Sequence, residues 1–295
     1  MHMIQLADLT SEQLEAILEL ADQLSAHPGQ RLLAGRTFIL FFPETSLRTR
    51  VTFERGIAAL GGHSILFPPA SLDKREALRD VAGYLANWAD GLIVRHPHHE
   101  RIAELAAVSS IPVVNAMSSE GHPCEILADL YALRALRPHY RSLRYTFVGP
   151  VGNISRSWME AAEVLGLDFH HVCVQGERLG EDRPFYTFHT ELDPALAGSD
   201  VILTDSLPGY LRYDDYISRY QITSERLRLA AQDVLLIPCP PFYRGEEVSD
   251  CAIASDAFVG YSFKASLLPV QQAILLYSLG LSAEDVAGGR PVVHA

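Results

Sequence analysis

Two hydroxyls and two guanidinium groups lie within five positions, in Ser46-Leu47-Arg48-Thr49-Arg50. The stretch follows an apolar run, Thr37-Phe38-Ile39-Leu40-Phe41-Phe42, that reads as a buried strand. It precedes a segment in which Phe53, Ile57 and Leu60 fall at helical spacing. A helix start presents unpaired backbone N–H groups and the positive end of the macrodipole. Hydroxyl donors and a planar Arg fork beside it would cradle a tetrahedral oxyanion. The same residues also suit a plain helix start, with a capping Ser and solvated arginines. Open α/β sheets bind ligands beyond the carboxyl ends of their strands. The polar residues that follow predicted strands are therefore the other candidates: Arg95, His122, Asn153, Asp205 and Cys239. A lone His or Arg in a loop is usually structural. Recurrence at one edge of a fold is different, because cations and a His can then converge on one anion.

The elements that must position these residues alternate along the chain. Thr10-Ser11-Glu12-Gln13 is a capping box for a helix with Leu14, Ile17, Leu18, Ala21 and Leu24 on one face. Strands are expected at 63–67, 91–95 and 111–115. A helix marked by Leu78, Val81, Leu85 and Trp88 lies between the first two, and another covers 99–108. Pro123 suits the first turn of a helix carrying Ile126, Leu127, Leu130 and Leu133. The polar stretch from Arg134 to Arg144 contains Pro138 and divides the chain into lobes 1–135 and 136–295. In the second lobe, strands at 145–149, 169–174, 201–204 and 234–238 alternate with helices at 154–166 and 224–231. Residues 175–194 read as a loop or weak helix, and a last long helix runs from about Leu268 to Leu279. This pattern predicts an α/β protein with two doubly wound parallel-sheet lobes and a C-terminal helix.

Composition narrows the function. The 295 residues are 48% hydrophobic and 20% charged, an ordinary globular balance. A net charge of −12 argues against a nucleic-acid surface, so an anion site must be a local basic pocket. The four cysteines form no CxxC pair and no zinc spacing, so no metal is expected. Cys173 and Cys251 read as small buried apolar residues. No signal peptide and no membrane-spanning run is visible, and the expected location is cytoplasmic. Neither Gly61-Gly62 nor Gly149 with Gly152 makes the dinucleotide fingerprint, which weighs against an oxidoreductase. Ser46 has no nucleophile elbow, which weighs against a serine hydrolase using His122.

The same stretches resemble the aspartate/ornithine carbamoyltransferase family over nearly the whole chain. Ser46-Leu47-Arg48-Thr49-Arg50 resembles its Ser-x-Arg-Thr-Arg signature, and His122-Pro123-Cys124-Glu125-Ile126-Leu127-Ala128-Asp129 its His-Pro-x-Gln-x-Leu-x-Asp segment. The resemblance implies that Ser46, Leu47, Arg48, Thr49, Lys74, Arg95, His122 and Glu125 bind carbamoyl phosphate. Lys74 would be donated by a neighbouring subunit of a homotrimer. Val148-Gly149-Pro150-Val151-Gly152-Asn153 and Thr204-Asp205 resemble the ornithine branch, where they hold the acceptor amino acid. Cys239-Pro240-Pro241-Phe242-Tyr243-Arg244-Gly245-Glu246-Glu247 resembles that branch's segment around its cysteine. The resemblance thus implies acceptor contacts from Asn153, Asp205, Ser206, Cys239 and Pro240, catalytic roles for Arg48, His122 and Cys239, and no cofactor. An amine would attack the carbonyl of carbamoyl phosphate and expel phosphate. The expected acceptor is ornithine or a related diamino acid, with arginine biosynthesis as the implied setting.

Departures from the pattern keep alternatives in view. Leu47 replaces the usual Thr, Glu125 the Gln, Pro238 the His before Cys239, and Leu267 an Arg shortly before the last helix. Ser206-Leu207-Pro208-Gly209 is shorter than the ornithine-branch loop. Aspartate as acceptor, or a non-catalytic metabolite-binding relative, are the alternatives. One outcome follows from the Arg48 fork. Arg48→Ala is expected to lower carbamoyl-phosphate turnover on the order of a hundredfold, and Arg48→Lys not to restore it, because a point charge lacks bidentate geometry. Steady-state phosphate release measures both, and near-normal turnover of Arg48→Ala removes the cradle.

Overall fold

The computed structural model describes residues 1–289. The chain divides into two units, one of Met1–Ala132 with the segment from Lys264 onward, the other of Leu133–Phe263. In the first unit Thr10 and Gln13 close the expected capping box at the start of α1 (Ser11–Ala26). Then come β1 (Thr37–Phe41), α2 (Arg48–Ala59), β2 (His63–Phe67), α3 (Leu78–Leu85), β3 (Gly91–Arg95), α4 (His99–Val108), β4 (Val113–Met117) and α5 (Pro123–Leu136). The four strands pair in parallel in the order β2-β1-β3-β4. The inner strands are apolar and buried on both faces, as helix-covered parallel strands must be. Asp90 ties the amino ends of β1 and β3 together, accepting from the Arg36 guanidinium and, at 2.8 Å, from the Thr37 N–H.

That strand order decides where a ligand can sit. The chain leaves β1 toward β2 on one side, then returns to build β3 and β4 on the other. The carboxyl ends of β1 and β3 are therefore neighbours with no crossover between them. At this edge the β3–β4 register slips: Val94 faces Asn115, but Arg95 faces Met117. A bulge of this kind re-aims a side chain at a strand end. The start of β4 lies two residues later than expected, and the end of α3 falls at Leu85. Trp88 consequently lies outside the helix and is exposed rather than on its buried face, which Leu78 and Ala82 supply.

The second unit contains β5 (Arg144–Val148), α6 (Asn153–Leu165), β6 (Asp168–Val172), β7 (Tyr186–His189), α7 (Leu192–Leu196), β8 (Val201–Thr204), α8 (Asp214–Tyr220), α9 (Ser224–Leu227), β9 (Leu235–Pro238) and α10 (Asp250–Ile253). Its five strands are parallel in the order β7-β6-β5-β8-β9, with the reversal between β5 and β8. The doubly wound pair of parallel sheets is thus as expected. β7 and the start of α7 occupy the stretch 175–194, expected to be a loop or weak helix; the strand was not foreseen, because four residues flanked by Pro184 and charges give too short a pattern to read. α8 was also not foreseen, although Tyr216 and Tyr220, one turn apart, are both buried. Cys173 is buried against the Tyr216 hydroxyl, as expected of a small apolar residue. Cys251 is not: it faces solvent on α10.

The chain ends in α11 (Leu267–Ser278) and α12 (Ala283–Ala287). α11 packs on α1 and α2, so it belongs to the first unit and not to the lobe 136–295 in which the sequence reading placed it. Residues 290–295 of that lobe lie outside the described residues. α11 is apolar nearly all round, which suits a helix enclosed by others. Gly56 permits the close approach to α2: the Gln272 amide donates to the Gly56 carbonyl at 2.9 Å, and a Cβ at 56 would lie 3.1 Å from Gln272 Cγ. α2 is the helix that carries the Ser46–Arg50 cluster. The C-terminal segment therefore braces the cradle from behind.

Candidate active site

The loop after β1 delivers Ser46 and Thr49 as buried hydroxyls beside the start of α2. Leu47 occupies the N-cap, offers no capping side chain and is 70% exposed. The first N–H groups of α2 are thus left to be satisfied by something other than a cap. Arg95, at the end of β3, reaches across and donates from Nη1 to Ser46 Oγ at 3.2 Å. Arg48 is exposed, and its guanidinium enters no ion pair among the described residues. Arg50 is different: it is bound to Glu54 on its own helix at 2.7 Å and turns away from the cluster. Ser46 and Arg95 are thus joined at this edge, with Arg48 and Thr49 on the first turn of α2 beside Ser46, while Arg50 is engaged by its own helix.

The loop after β4 brings His122 to the same edge, immediately before Pro123 opens α5. His122, Glu125 and Asp129 share one face of that helix and are almost fully buried. Burial pushes the His122 pKa down to about 4; Glu125 pulls the other way, and Arg95 and Lys264 add to the depression. At neutral pH His122 is therefore an uncharged imidazole, a donor through one nitrogen and not a cation. Its Nε2 lies 4.0 Å from Glu125 Oε2. Burial alone would raise the Glu125 pKa, but Lys264, His122 and Arg48 together bring it below the ordinary carboxylate value. The Lys264 ammonium is 2.7 Å from Glu125 Oε1 and also contacts Asp129. Asp129 shares that ammonium, and burial lifts its pKa to about 7, with Lys264 opposing the rise and Glu125 adding to it.

Lys264 was missed by reading the sequence. Its signal was indirect: a carboxylate at position 125 and a lost cation at Leu267 called for a compensating charge nearby in space. Lys74, by contrast, stands exposed after a short 3-10 turn and makes no hydrogen bond or ion pair among the described residues.

In the second unit the expected acceptor residues also follow adjacent strands. Asn153 opens α6 after β5, Asp205 and Ser206 follow β8, and Cys239 and Pro240 follow β9. β5 and β8 flank the reversal point of this sheet, the ligand edge of a doubly wound fold. The turn leading to Asn153 is held from two sides. Gly149 adopts φ +150°, a glycine conformation, and its carbonyl accepts from His171 Nε2 at 2.8 Å. Because a carbonyl only accepts, His171 carries its proton on Nε2. Glu177 accepts from the Val151 N–H and from the Tyr210 hydroxyl, each at 2.9 Å. It thereby ties the glycine turn to the loop that follows Ser206. Asp205 accepts from the Ser206 N–H at 2.8 Å, and the Cys239 N–H donates to Thr204 O at 2.9 Å. Cys239 itself is buried. Glu177 and Tyr210 were not anticipated, since neither lies directly after a strand. Among the described residues no cluster of His, Cys, Asp and Glu has the makings of a metal site.

Fold and site together define a class: a two-lobed α/β transferase whose first lobe is built to hold an anionic donor. The description "Aspartate/ornithine carbamoyltransferase, carbamoyl-P binding domain" fits residues 1–135, and the corresponding Asp/Orn binding domain fits residues 141–278. The ornithine carbamoyltransferase of Geobacter sulfurreducens is 30% identical over 93% of this chain and 97% of its own length. That of Carboxydothermus hydrogenoformans is 30% identical over 94% and 97%. Solved ornithine carbamoyltransferases from Burkholderia thailandensis (TM-score 0.86, 28% identity, covering 94% of this chain and 97% of theirs) and Thermus thermophilus (TM-score 0.85, 29% identity, covering 93% and 97%) share the architecture. The chain belongs to the aspartate/ornithine carbamoyltransferase family and is a carbamoyltransferase.

Proposed function

We propose that the protein transfers the carbamoyl group of carbamoyl phosphate to the side-chain amine of a diamino acid, with ornithine the first candidate. The observation that carries this reading is the edge shared by β1, β3 and β4. There two buried hydroxyls, a helix start without a capping side chain, and the Arg48 and Arg95 guanidiniums adjoin a neutral His and a carboxylate. In this reading Ser46, Thr49, Arg48, Arg95 and the α2 N–H groups beside Leu47 hold the phosphate. His122 donates to the carbonyl oxygen as it becomes an oxyanion, a contact commonly worth about 2–4 kcal/mol. Glu125 accepts from the carbamoyl NH2. The amine nitrogen bonds to the carbonyl carbon, the C–O bond to phosphate breaks, and the phosphate leaves with the electron pair while the amine gives up a proton.

In the second lobe, Asn153 pairs with the carboxylate of the acceptor and Asp205 with its α-ammonium, while Ser206, Cys239 and Pro240 line the remainder. Ornithine is the substrate in the names of these relatives, and Asn153 and Asp205 are the residues here that suit a zwitterionic amino acid. The shortened 206–209 segment and the Glu177–Tyr210 tie alter the loop beside them, so a shorter or N-acylated relative of ornithine stands second. Kinetics with ornithine, diaminopropionate, N-acetylornithine, putrescine and aspartate side by side test the assignment. A diamino acid or diamine is expected to give the highest kcat/KM. Aspartate in that place overturns the roles of Asn153 and Asp205.

The same reading makes the enzyme a cytoplasmic homotrimer serving arginine biosynthesis, with Lys74 lent to a neighbour's cradle. Exposed apolar groups on the first unit favour an interface there: Ile65, Leu66 and Phe67 on the edge strand β2, and Leu47 and Val51 around the start of α2. The exposed Lys74, with no partner among the described residues, is consistent with service elsewhere. Mixed trimers of inactive Lys74→Ala and inactive Arg48→Ala subunits are expected to regain part of the activity, since some sites then contain neither change. Verified mixed trimers that stay inactive rule out sharing.

A further inference from the structure

The reaction reading assigns no role to Lys264, yet this residue sits within the most highly charged buried cluster of the first unit. Its ammonium lies in the 3-10 turn Tyr261–Ser266 just before α11, bonded to Glu125 Oε1 at 2.7 Å and in contact with Asp129. Both carboxylates are more than nine-tenths buried, and they stand on one face of α5 with His122. Of the 24 cationic Lys and Arg residues in the chain, Lys74 and Lys264 are the only lysines. Arginine is the rule, and lysine is kept at this point between two carboxylates. A compact ammonium with three donors can serve both at once, where a planar guanidinium prefers one carboxylate face-on.

We propose that Lys264 is a positioning residue that keeps Glu125 ionised and aimed into the carbamoyl-phosphate site, making Glu125 and Lys264 one functional unit. The inference rests on the carbamoyl-phosphate reading given above. A buried carboxylate left alone takes up a proton, and a protonated Glu125 could turn its O–H toward the ligand's NH2 and repel it. The ammonium removes that option. The groups facing Glu125 are His122 and Asp129 on its own helix, Arg48 on α2 and Lys264 before α11, while Arg95 at the end of β3 acts on His122.

The sign of the pH effect follows. Glu125 has its pKa held down in the native site, and Lys264→Met removes the largest favourable contribution to its charge. Its pKa then rises, and the ionised form is lost at higher pH than before. The acid limb of kcat/KM for carbamoyl phosphate is expected to move up by about one pH unit or more, with about a tenfold loss near neutrality. In a Glu125→Gln/Asp129→Asn background the same Lys264→Met change is expected to lose less than about threefold and to move no limb, because neither of its two carboxylates is left to hold. An equal loss in both backgrounds, or an unmoved limb, overturns the proposal by reducing Lys264 to a structural residue. Lys264→Arg is expected to keep the limb in place while raising KM.

A second measurement does not depend on turnover. Carbon-13 NMR of the intact wild-type protein labelled at glutamate carboxyls, with Glu125 assigned by the Glu125→Gln spectrum, follows the carboxyl directly. A midpoint below the ordinary glutamate range is expected, and a midpoint above it contradicts the proposal. If the wild-type protein does not consume carbamoyl phosphate with any amine, the reading of the reaction fails. The NMR titration then still decides the charge of Glu125.

Discussion

The structure depends first on the parallel pairing of β1 with β3. Placing these strands side by side, with β2 outside one and β4 outside the other, leaves two neighbouring carboxyl ends with no helix crossing above them. The candidate site of the first unit uses that opening. The loop after β1 carries Ser46 and Thr49 into it, the bulged end of β3 carries Arg95, and the loop after β4 carries His122. Parallel strands point all their carboxyl ends the same way, so residues nearly eighty positions apart in sequence become neighbours. The chain is strongly acidic overall, and only such convergence makes a cationic pocket within it.

Convergence has an energetic consequence, because charges gathered in a buried place must be matched. Unmatched, a carboxylate at Glu125 or Asp129 would be neutralised by protonation. The match comes from Lys264, in the segment that returns from the second unit to pack α11 against α1 and α2. The C-terminal segment therefore has two functions. It completes the apolar packing behind α2 at Gly56, and it supplies the ammonium that fixes the charge state in front of it. Deleting this segment would uncover the core and unbalance the site together. The neutral His122 fits the same logic, since a third cation beside Arg95 and Lys264 would have to share Glu125 with Lys264.

Much of this was legible from residue order. Strand and helix alternation, the Ser46–Thr49 cluster, Arg95 and His122 could all be read, because each follows directly from a local pattern of apolar spacing ended by polar residues. What could not be read depends on pairing across the sequence. The partner of Glu125 is 139 residues away in Lys264, and no local pattern joins them. The placement of α11 with the first unit is likewise a long-range packing fact, since its apolar surface suits either lobe. β7 is four residues long and gains its strand form from pairing with β6 at residues 169–172, not from its own sequence. Cys251 and Trp88 show the reverse error, residue types that are usually buried standing in solvent where a helix is short or has already ended.

The most direct test of the account is a crystal structure of the protein with phosphonoacetamide, a non-hydrolysable isostere of carbamoyl phosphate. The phosphonate is expected to bind Ser46, Thr49, Arg48 and Arg95 at the start of α2, with its amide NH2 on Glu125 and its carbonyl oxygen toward His122. A phosphonate bound elsewhere, or an amide turned away from Glu125, would contradict the account.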